Sequence, residues 1–548
     1  MLRSAPVVER DKTEVASFWL GRQTLRKKEL LEAVMPTGGP ASLDAAMPTR
    51  GPSASSDMPS HAASRPHLLF LLHDDNGYHE VGWTNPARLD VTGNLTALAR
   101  EGIILDRHYA HYHCSPSRRS FLSGRLPVHH GEELSDVDDD DIDLRWTLIG
   151  TKLKRAGFAT HWVGKGHTGY RSVRHLPVHQ GFDSHVGILN GAGLTYHGID
   201  RWNGTAPDGR LDFTYATNLY GQTCLDIVSS HDPRIPLFLF LAWQAPHVPY
   251  DPVPGWDGPI FPGKLWATDL WTGRLVELLR AKRMWQTTLL VYSSDNGGVT
   301  TRDRTTDAPD AYGVNWPLRG EKHSTWEGGV RTPAFVSGGF VPPGRRGTTS
   351  RAVVHIADWY ATFCVLAGVD PSDDSAVPPA PFDPAHPSRD PYHGNLSWPG
   401  VDGVDVWRRL VGDEEPPPAR LLVLSASAIL NGSLKLVTRS RSIRADQEGW
   451  RLPNGSWTQP PPGWTCGLSD EPLIPCLFDL DDDEREQRNL ADDEPELVRA
   501  MWQALNWSVA GAFHSRSPDT LVGPCAPACA AIEWRFRSGP VCDVEGCF

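Results

Sequence analysis

From His67 onward the chain alternates short, unbroken apolar runs with segments whose apolar residues recur at helical spacing. Residues 68–72, 160–163, 237–242 and 289–293 read as strands that are apolar continuously rather than on alternate positions. A strand covered on both faces has this pattern, as in parallel sheets flanked by helices. Residues 95–101, 148–156, 270–282 and 356–367 read as the helices between them. The alternation predicts an α/β, doubly wound architecture with a large, mainly parallel sheet. After Pro416-Pro417-Pro418 the pattern changes. Residues 421–424, 434–437 and 477–480 read as short strands of a smaller antiparallel unit, followed by a helix over 495–507. Four regions follow: a disordered or processing segment over 1–64, a catalytic domain over 65–415, a smaller C-terminal α+β subdomain over 416–515, and a Cys-rich tail over 516–548. The Pro- and Asp-rich stretch over 370–400 reads as a loop or insertion, and the acidic run 138–141 as a solvated loop.

Composition narrows the partners. Of 548 residues, 40% are hydrophobic and 22% charged, so the chain has the means to bury a sizeable core. No apolar run approaches the ~20 residues that cross a bilayer, so no membrane span is expected. Fifty-three basic and 66 acidic side chains leave a formal charge of -13, which disfavours binding to nucleic-acid backbones. An anionic substrate would then need a local basic pocket. Nine cysteines stand at 114, 224, 364, 466, 476, 525, 529, 542 and 547, and none forms a C-x2-C pair with partner histidines. That spacing argues against a zinc ribbon. Setting Cys114 aside leaves an even eight, which suits disulfides in an oxidising compartment, although buried thiols fit the same count. Asn94, Asn203, Asn395, Asn431, Asn454 and Asn506 all stand in N-x-S/T and point to the secretory pathway, with a secreted or lysosome-like destination. The first residues carry charged stretches and no apolar core of a signal peptide, so the route of entry is not readable.

Chemistry collects where the strands end. In open parallel sheets, sites form beyond the carboxyl ends of the strands. The first strand runs into His73-Asp74-Asp75-Asn76-Gly77, another into Ala245-Pro246-His247, and another into Asp295-Asn296-Gly297-Gly298. One Asp after a strand is an ordinary cap or turn residue. Three carboxylates and an amide oxygen together suit a hard cation, Ca²⁺ or Mg²⁺, better than zinc.

Between the first two strands lies Cys114-Ser115-Pro116-Ser117-Arg118-Arg119-Ser120-Phe121-Leu122-Ser123-Gly124-Arg125. A cysteine at a helix start, with proline in the first turn, is a candidate thiolate nucleophile. The run C-x-P-S-R followed by L-S-G-R resembles the signature of type I sulfatases, with Ser123 where Thr is usual. The resemblance extends in order along residues 67–510. Lys165-Gly166-His167 is similar to the family's G-K-x-H segment, Ala245-Pro246-His247 to its mid-chain histidine, and Ser294-Asp295-Asn296-Gly297-Gly298 to its second metal motif. Leu318-Arg319-Gly320-Glu321-Lys322 with Trp326-Glu327-Gly328-Gly329-Val330-Arg331 resembles its lysine-bearing segment. Leu477-Phe478-Asp479-Leu480-Asp481 resembles its C-terminal strand. Asn315-Trp316-Pro317-Leu318-Arg319-Gly320 brings the chain nearest the arylsulfatase B branch. Gly166 and Thr168 depart from the usual Trp and Leu, which bears on pocket shape.

The resemblance implies an alkaline-phosphatase/sulfatase-like fold and a sulfuric ester hydrolase acting on aryl sulfates or sulfated glycans, N-acetylgalactosamine 4-sulfate among them. It implies that a formylglycine-generating enzyme oxidises Cys114 to Cα-formylglycine. Asp74, Asp75, Asp295 and Asn296 would hold one Ca²⁺ (Mg²⁺ is less expected) together with the modified residue 114. The hydrated aldehyde is a geminal diol: one hydroxyl attacks sulfur to form a covalent sulfo-enzyme, and the second then expels sulfate. A plain alcohol would be left esterified. Arg118 would hold the diol, and Lys165 and Lys322 would neutralise sulfate or bridging oxygens. His167 would accept the diol's proton, and His247 would protonate the leaving alcohol. Two other readings stay open: a formylglycine-dependent phosphonate or phosphodiester hydrolase, and an inactive glycan-binding relative that uses some of the 21 Trp residues.

Overall fold

The computed structural model describes residues 65–510 apart from 132–140, 171–172, 194, 199, 209–213, 301–312, 373–399, 413–419, 441–448, 461–465 and 467–474. Its centre is four parallel strands: β1 (His67–Asp74), β2 (Ala159–Gly164), β3 (Leu237–Pro246) and β4 (Thr288–Ser294). They lie side by side in the order β4-β1-β3-β2 within a ten-stranded sheet. Ser184–Ile188 continues the parallel set beyond β2, while Ala334–Ser337 runs antiparallel to β4. The sheet is therefore mixed and mainly parallel.

The unbroken apolar runs have a direct cause. Leu68, Phe70 and Leu72 of β1 enter the core on one face with Phe121, Trp359 and Phe363. Leu69 and Leu71 enter the core on the other face with Leu95, Tyr220 and Leu275. Both faces are covered, so every position along β1 is buried. Helix α1 (Cys114–Ser123) docks on the first face through Phe121, whose ring stacks on Phe70 at 4.1 Å. Burying an aromatic side chain of this kind contributes about 1.5–3 kcal/mol. That contact carries the start of α1 to the carboxyl end of β1.

The smaller unit is a four-stranded antiparallel meander: Leu421–Ser425, Ala428–Asn431, Leu434–Val437 and Cys476–Asp479. Helix Pro495–Ala510 covers it with Leu497, Val498, Met501 and Leu505, the buried stripe of an amphipathic helix. Cys466 and Cys476 form a disulfide beside it. Among the described residues no helix is long and apolar enough to cross a membrane.

Several expectations need correction. Cys224 and Cys364 lie outside any disulfide. They sit in the cores on opposite faces of the large sheet, where each behaves as a small apolar side chain. Asp141 is buried rather than solvated. Asn431 is buried within a central strand of the meander, where the fold leaves no room for a glycan; Asn203, Asn454 and Asn506 are exposed. Helix Ile260–Ala281 begins ten residues before its expected start, because Pro262 is tolerated in a first turn. Helix Ala216–Ser230 and strand Ala428–Asn431 are additional to the expected elements. The 1–64 segment, the tail from 516, Asn395, Asp138 to Asp140 and nearly all of the 370–400 stretch lie outside the described residues.

Candidate active site

The ends of β1 and β4 interlock. The Asp295 backbone N–H donates to His73 O at 3.1 Å, and the Asp75 N–H donates to Asp295 Oδ1 at 3.2 Å. Asp75 is left-handed, with φ 65°. The Asn296 amide donates to Asp75 Oδ1 and to Gly297 O, both at 2.8 Å. Gly297 is required here because a β-carbon would lie 1.7 Å from Gly328 O. Its absence lets the turn after β4 pack on the Trp326-Glu327-Gly328-Gly329 segment, whose chain also carries Lys322.

Helix α1 opens at this spot. Cys114 is its first residue, and Sγ lies 3.4 Å from Asp74 Oδ1 and 3.8 Å from Asp75 Oδ1. Arg118, one turn on, faces the same side. Its Nε and Nη2 meet Asp295 Oδ2 at 2.8 and 2.7 Å, and Nη1 donates to Lys165 O. Lys165, just past β2, places Nζ 2.6 Å from Asp74 Oδ2. Lys322 Nζ is 2.6 Å from Asp75 Oδ1 and 3.1 Å from Cys114 Sγ. His247, just past β3, holds Nδ1 at 2.9 Å from Val248 O and turns Nε2 to Asp75 Oδ2 at 3.7 Å. His167 stands on a left-handed backbone beyond Lys165, its ring 5.9 Å from that of His113. A β-carbon at neighbouring Gly166 would sit 3.0 Å from Leu189 O, so a large side chain there would force this wall to shift.

Nine of the ten residues named from the sequence are thus joined by direct contacts, and His167 stands near them through His113. Three carboxylates (Asp74, Asp75, Asp295) face three cations (Arg118, Lys165, Lys322). Burial pushes Asp75 up, but Lys322, His247 and Lys165 overcome it and hold the carboxyl well below its ordinary range. Burial, then Asp74, raises Asp295 against the pull of Arg118. Burial and Asp295 raise the Cys114 thiol well above its ordinary value despite both lysines. As a plain cysteine it is a protonated thiol, not a thiolate. Burial and Lys165 hold His247 well below its ordinary value, and the bond to Val248 leaves Nε2 as an acceptor.

Donor atoms of Asp74, Asp75, Cys114 and His247 all lie within 4.8 Å of one another, close enough to share one metal ion. Asn296 Oδ1 is buried beside them with no hydrogen-bond partner, as an amide ligand awaiting a cation would be. These residues fit a divalent cation. Asp295 adjoins this group, with Oδ1 accepting from the Asp75 N–H and Oδ2 held by Arg118, and His247 occupies a position in the cluster that residue order alone does not suggest. Histidines 113 and 323 at the mouth are not singled out by the sequence. Their only signal there is adjacency to Cys114 and Lys322.

Against known proteins, the chain matches the family model described as Sulfatase over residues 66–260 and 261–369. It is 33% identical to Arylsulfatase J of Mus musculus over 328 residues, covering 56% of this chain and 53% of that protein. It is 30% identical to N-acetylgalactosamine-6-sulfatase of Homo sapiens over 351 residues, covering 58% and 65%. The matches therefore span about half to two thirds of these relatives' lengths. A solved structure of the PsFucS1 sulfatase from Pseudoalteromonas sp. superposes with a TM-score of 0.61 at 19% identity, covering 89% of this chain and 95% of that one, a likeness of fold.

Proposed function

The chain belongs to the sulfatase family, and from that premise we propose that it hydrolyses sulfate esters in the pocket at the ends of β1 to β4. One observation carries the reading: Cys114 lies within 3.8 Å of both Asp74 and Asp75 and 3.1 Å from Lys322 Nζ. A buried, protonated thiol among carboxylates is a poor nucleophile, which favours residue 114 acting after oxidation to formylglycine. The hydrated aldehyde supplies two hydroxyls, one to attack sulfur and one to expel sulfate. Asp74, Asp75, Asp295, Asn296 and residue 114 would hold one Ca²⁺, with His247 beside it; the ion would supply positive charge to the sulfate oxygens.

The chain's own groups then divide the work. The three cations only balance the three carboxylates, so a bound divalent ion would leave the pocket positive enough for an anionic ester. Lys165 and Lys322 neutralise sulfate oxygens as charge builds at the bridging oxygen. Arg118, held by Asp295 and Lys165 O, keeps residue 114 oriented. His167 receives the proton released from the diol. His247 passes a proton through Nε2 to the departing alcohol; its lowered pKa makes it a strong acid once charged, so this step favours acid conditions. The substrate class is aryl sulfates or sulfated sugars. A relative named for N-acetylgalactosamine sulfate supports trying 4- and 6-sulfated N-acetylgalactosamine first. The Cys466–Cys476 disulfide supports a secretory route.

The test is a screen of purified enzyme, shown by mass spectrometry to carry the aldehyde at residue 114, against a chromogenic aryl sulfate, sulfated sugars and an aryl phosphodiester. Sulfate release is expected. A strong preference for the diester would assign the site to phosphodiesters, and an unmodified thiol in protein from its native source would favour a glycan-binding role.

A further inference from the structure

The floor of the pocket is sealed: Asp74, Cys114, Arg118, Lys165, Asp295 and Asn296 are buried. Its rim is not. Half-buried side chains there are imidazoles: His113, His167, His247 and His323. A sulfate group resting on the charged floor must send its alcohol part out past that rim. His167 and His247 have work in the chemistry above; His113 and His323 do not. The His113 ring lies 4.9 Å from that of His323 and 5.9 Å from that of His167. Its Nδ1 is buried without a hydrogen-bond partner. The His323 backbone N–H donates to Tyr112 O at 2.8 Å, which pins the segment after Lys322 to the segment before Cys114.

The backbone at His323 is a second, independent sign. Its φ is 72°, in the left-handed region that residues carrying a β-carbon avoid. Among the described residues the non-glycine positions of this kind are Asp75, His167, Arg283, His323 and Glu486. Three of the five bound this pocket. Strained backbone persists where the surrounding structure holds it, and it clusters at functional sites. His323 is thus held in place by the fold at a local cost, beside a residue with an unanswered ring nitrogen.

We propose that His113 and His323 form the specificity-determining surface for the alcohol part of the ester, and that this surface selects a hydroxyl-rich sugar ring over a bare aromatic one. This rests on the sulfate-ester reading of the same pocket. Each imidazole offers an N–H donor or a ring-nitrogen acceptor, and each sugar hydroxyl is both donor and acceptor. A sugar ring answers the buried His113 nitrogen; an unsubstituted aryl ring leaves it unpaired.

The experiment compares kcat/KM for sulfated monosaccharides and for a chromogenic nitrophenyl sulfate, using the full aldehyde-bearing chain and the variants His113→Ala, His323→Ala and His323→Asn, with thermal midpoints recorded. The sugar-to-aryl ratio should fall about tenfold or more in both alanine variants, mainly through KM. His323→Asn should recover part of it, because Asn tolerates a left-handed backbone and keeps a donor and an acceptor. A ratio that does not move, or an equal fall on both substrates, overturns the proposal while leaving the hydrolase reading intact. Turnover of the aryl ester with none of any sugar sulfate also overturns it. No turnover of any sulfate ester by the aldehyde-bearing wild type removes the hydrolase reading, and the proposal with it.

Discussion

Among the described residues, two of the clusters of buried charge are built to different ends. The pocket sets three carboxylates against three cations and opens to water through half-buried imidazoles. The second cluster joins the meander to the segment that follows Lys322. There Lys435 Nζ sits 2.9 Å from both Glu327 Oε1 and Glu486 Oε1, with all three side chains inaccessible. Tyr109 donates to Glu327 Oε2 at 3.1 Å, and the Glu327 N–H donates to Glu486 Oε2 at 2.7 Å. The junction is closed off from water by its own ion pairs and hydrogen bonds, whereas the pocket opens through its half-buried imidazoles. Buried charge alone therefore does not mark an active site. Buried charge beside an open rim does.

The contrast can be broken in order of expected effect. Cys114→Ala should lower kcat/KM for an aryl sulfate by about a thousandfold or more with the thermal midpoint little changed. Full activity in that variant would dismiss residue 114 as the nucleophile. At the junction, Lys435→Met strands two buried glutamates and should destabilise the fold by about 3–5 kcal/mol, read as a shifted denaturation midpoint. A wild-type midpoint would mean the cluster relaxes by taking up a proton. Lys322→Ala should lower kcat by about a hundredfold through lost charge neutralisation. An unchanged rate would remove it from the chemistry.

Chelation should act on the pocket alone. Saturating Ca²⁺ at about a hundredfold over its Kd would stabilise the fold by about 2.7 kcal/mol. EDTA should lower the thermal midpoint and the activity of wild type, with Ca²⁺ restoring both; insensitivity of both would argue that no exchangeable ion is held. The smallest effect is a pH slope at the junction. Burial, only partly offset by Lys435 and reinforced by Glu327, pushes Glu486 up to about 7. A folded value above the unfolded one means stability fully present below about pH 4.5 and lost as pH rises through about 7. The midpoint of wild type should therefore decline across that window and that of Glu486→Gln should decline less; parallel slopes would discard the assignment.

Much of the fold and of the pocket is legible in the order of residues. The four central strands announce themselves because burial on both faces leaves an unbroken apolar run. The ten pocket residues stand in motifs, since a strand end, a tight turn and a helix start each need particular residues in sequence. What stays hidden is relational. Cys224 and Cys364 count as disulfide candidates, yet the sheet lies between them. Asn431 has the pattern of a glycan acceptor, yet a strand buries it. His113 and His323 lie more than 200 residues apart in the chain, and the Tyr112–His323 hydrogen bond makes them neighbours.

Residue order by itself determined the architecture and the inventory of reactive groups, because periodicity and short motifs are local and each residue reads its own neighbourhood. Tertiary structure alone decided the partners: which carboxylate Arg118 holds, which lysine reaches Cys114, and which imidazoles meet at the mouth. Those choices depend on distances of a few ångströms between segments far apart in the chain, and such distances exist only once the sheet has packed.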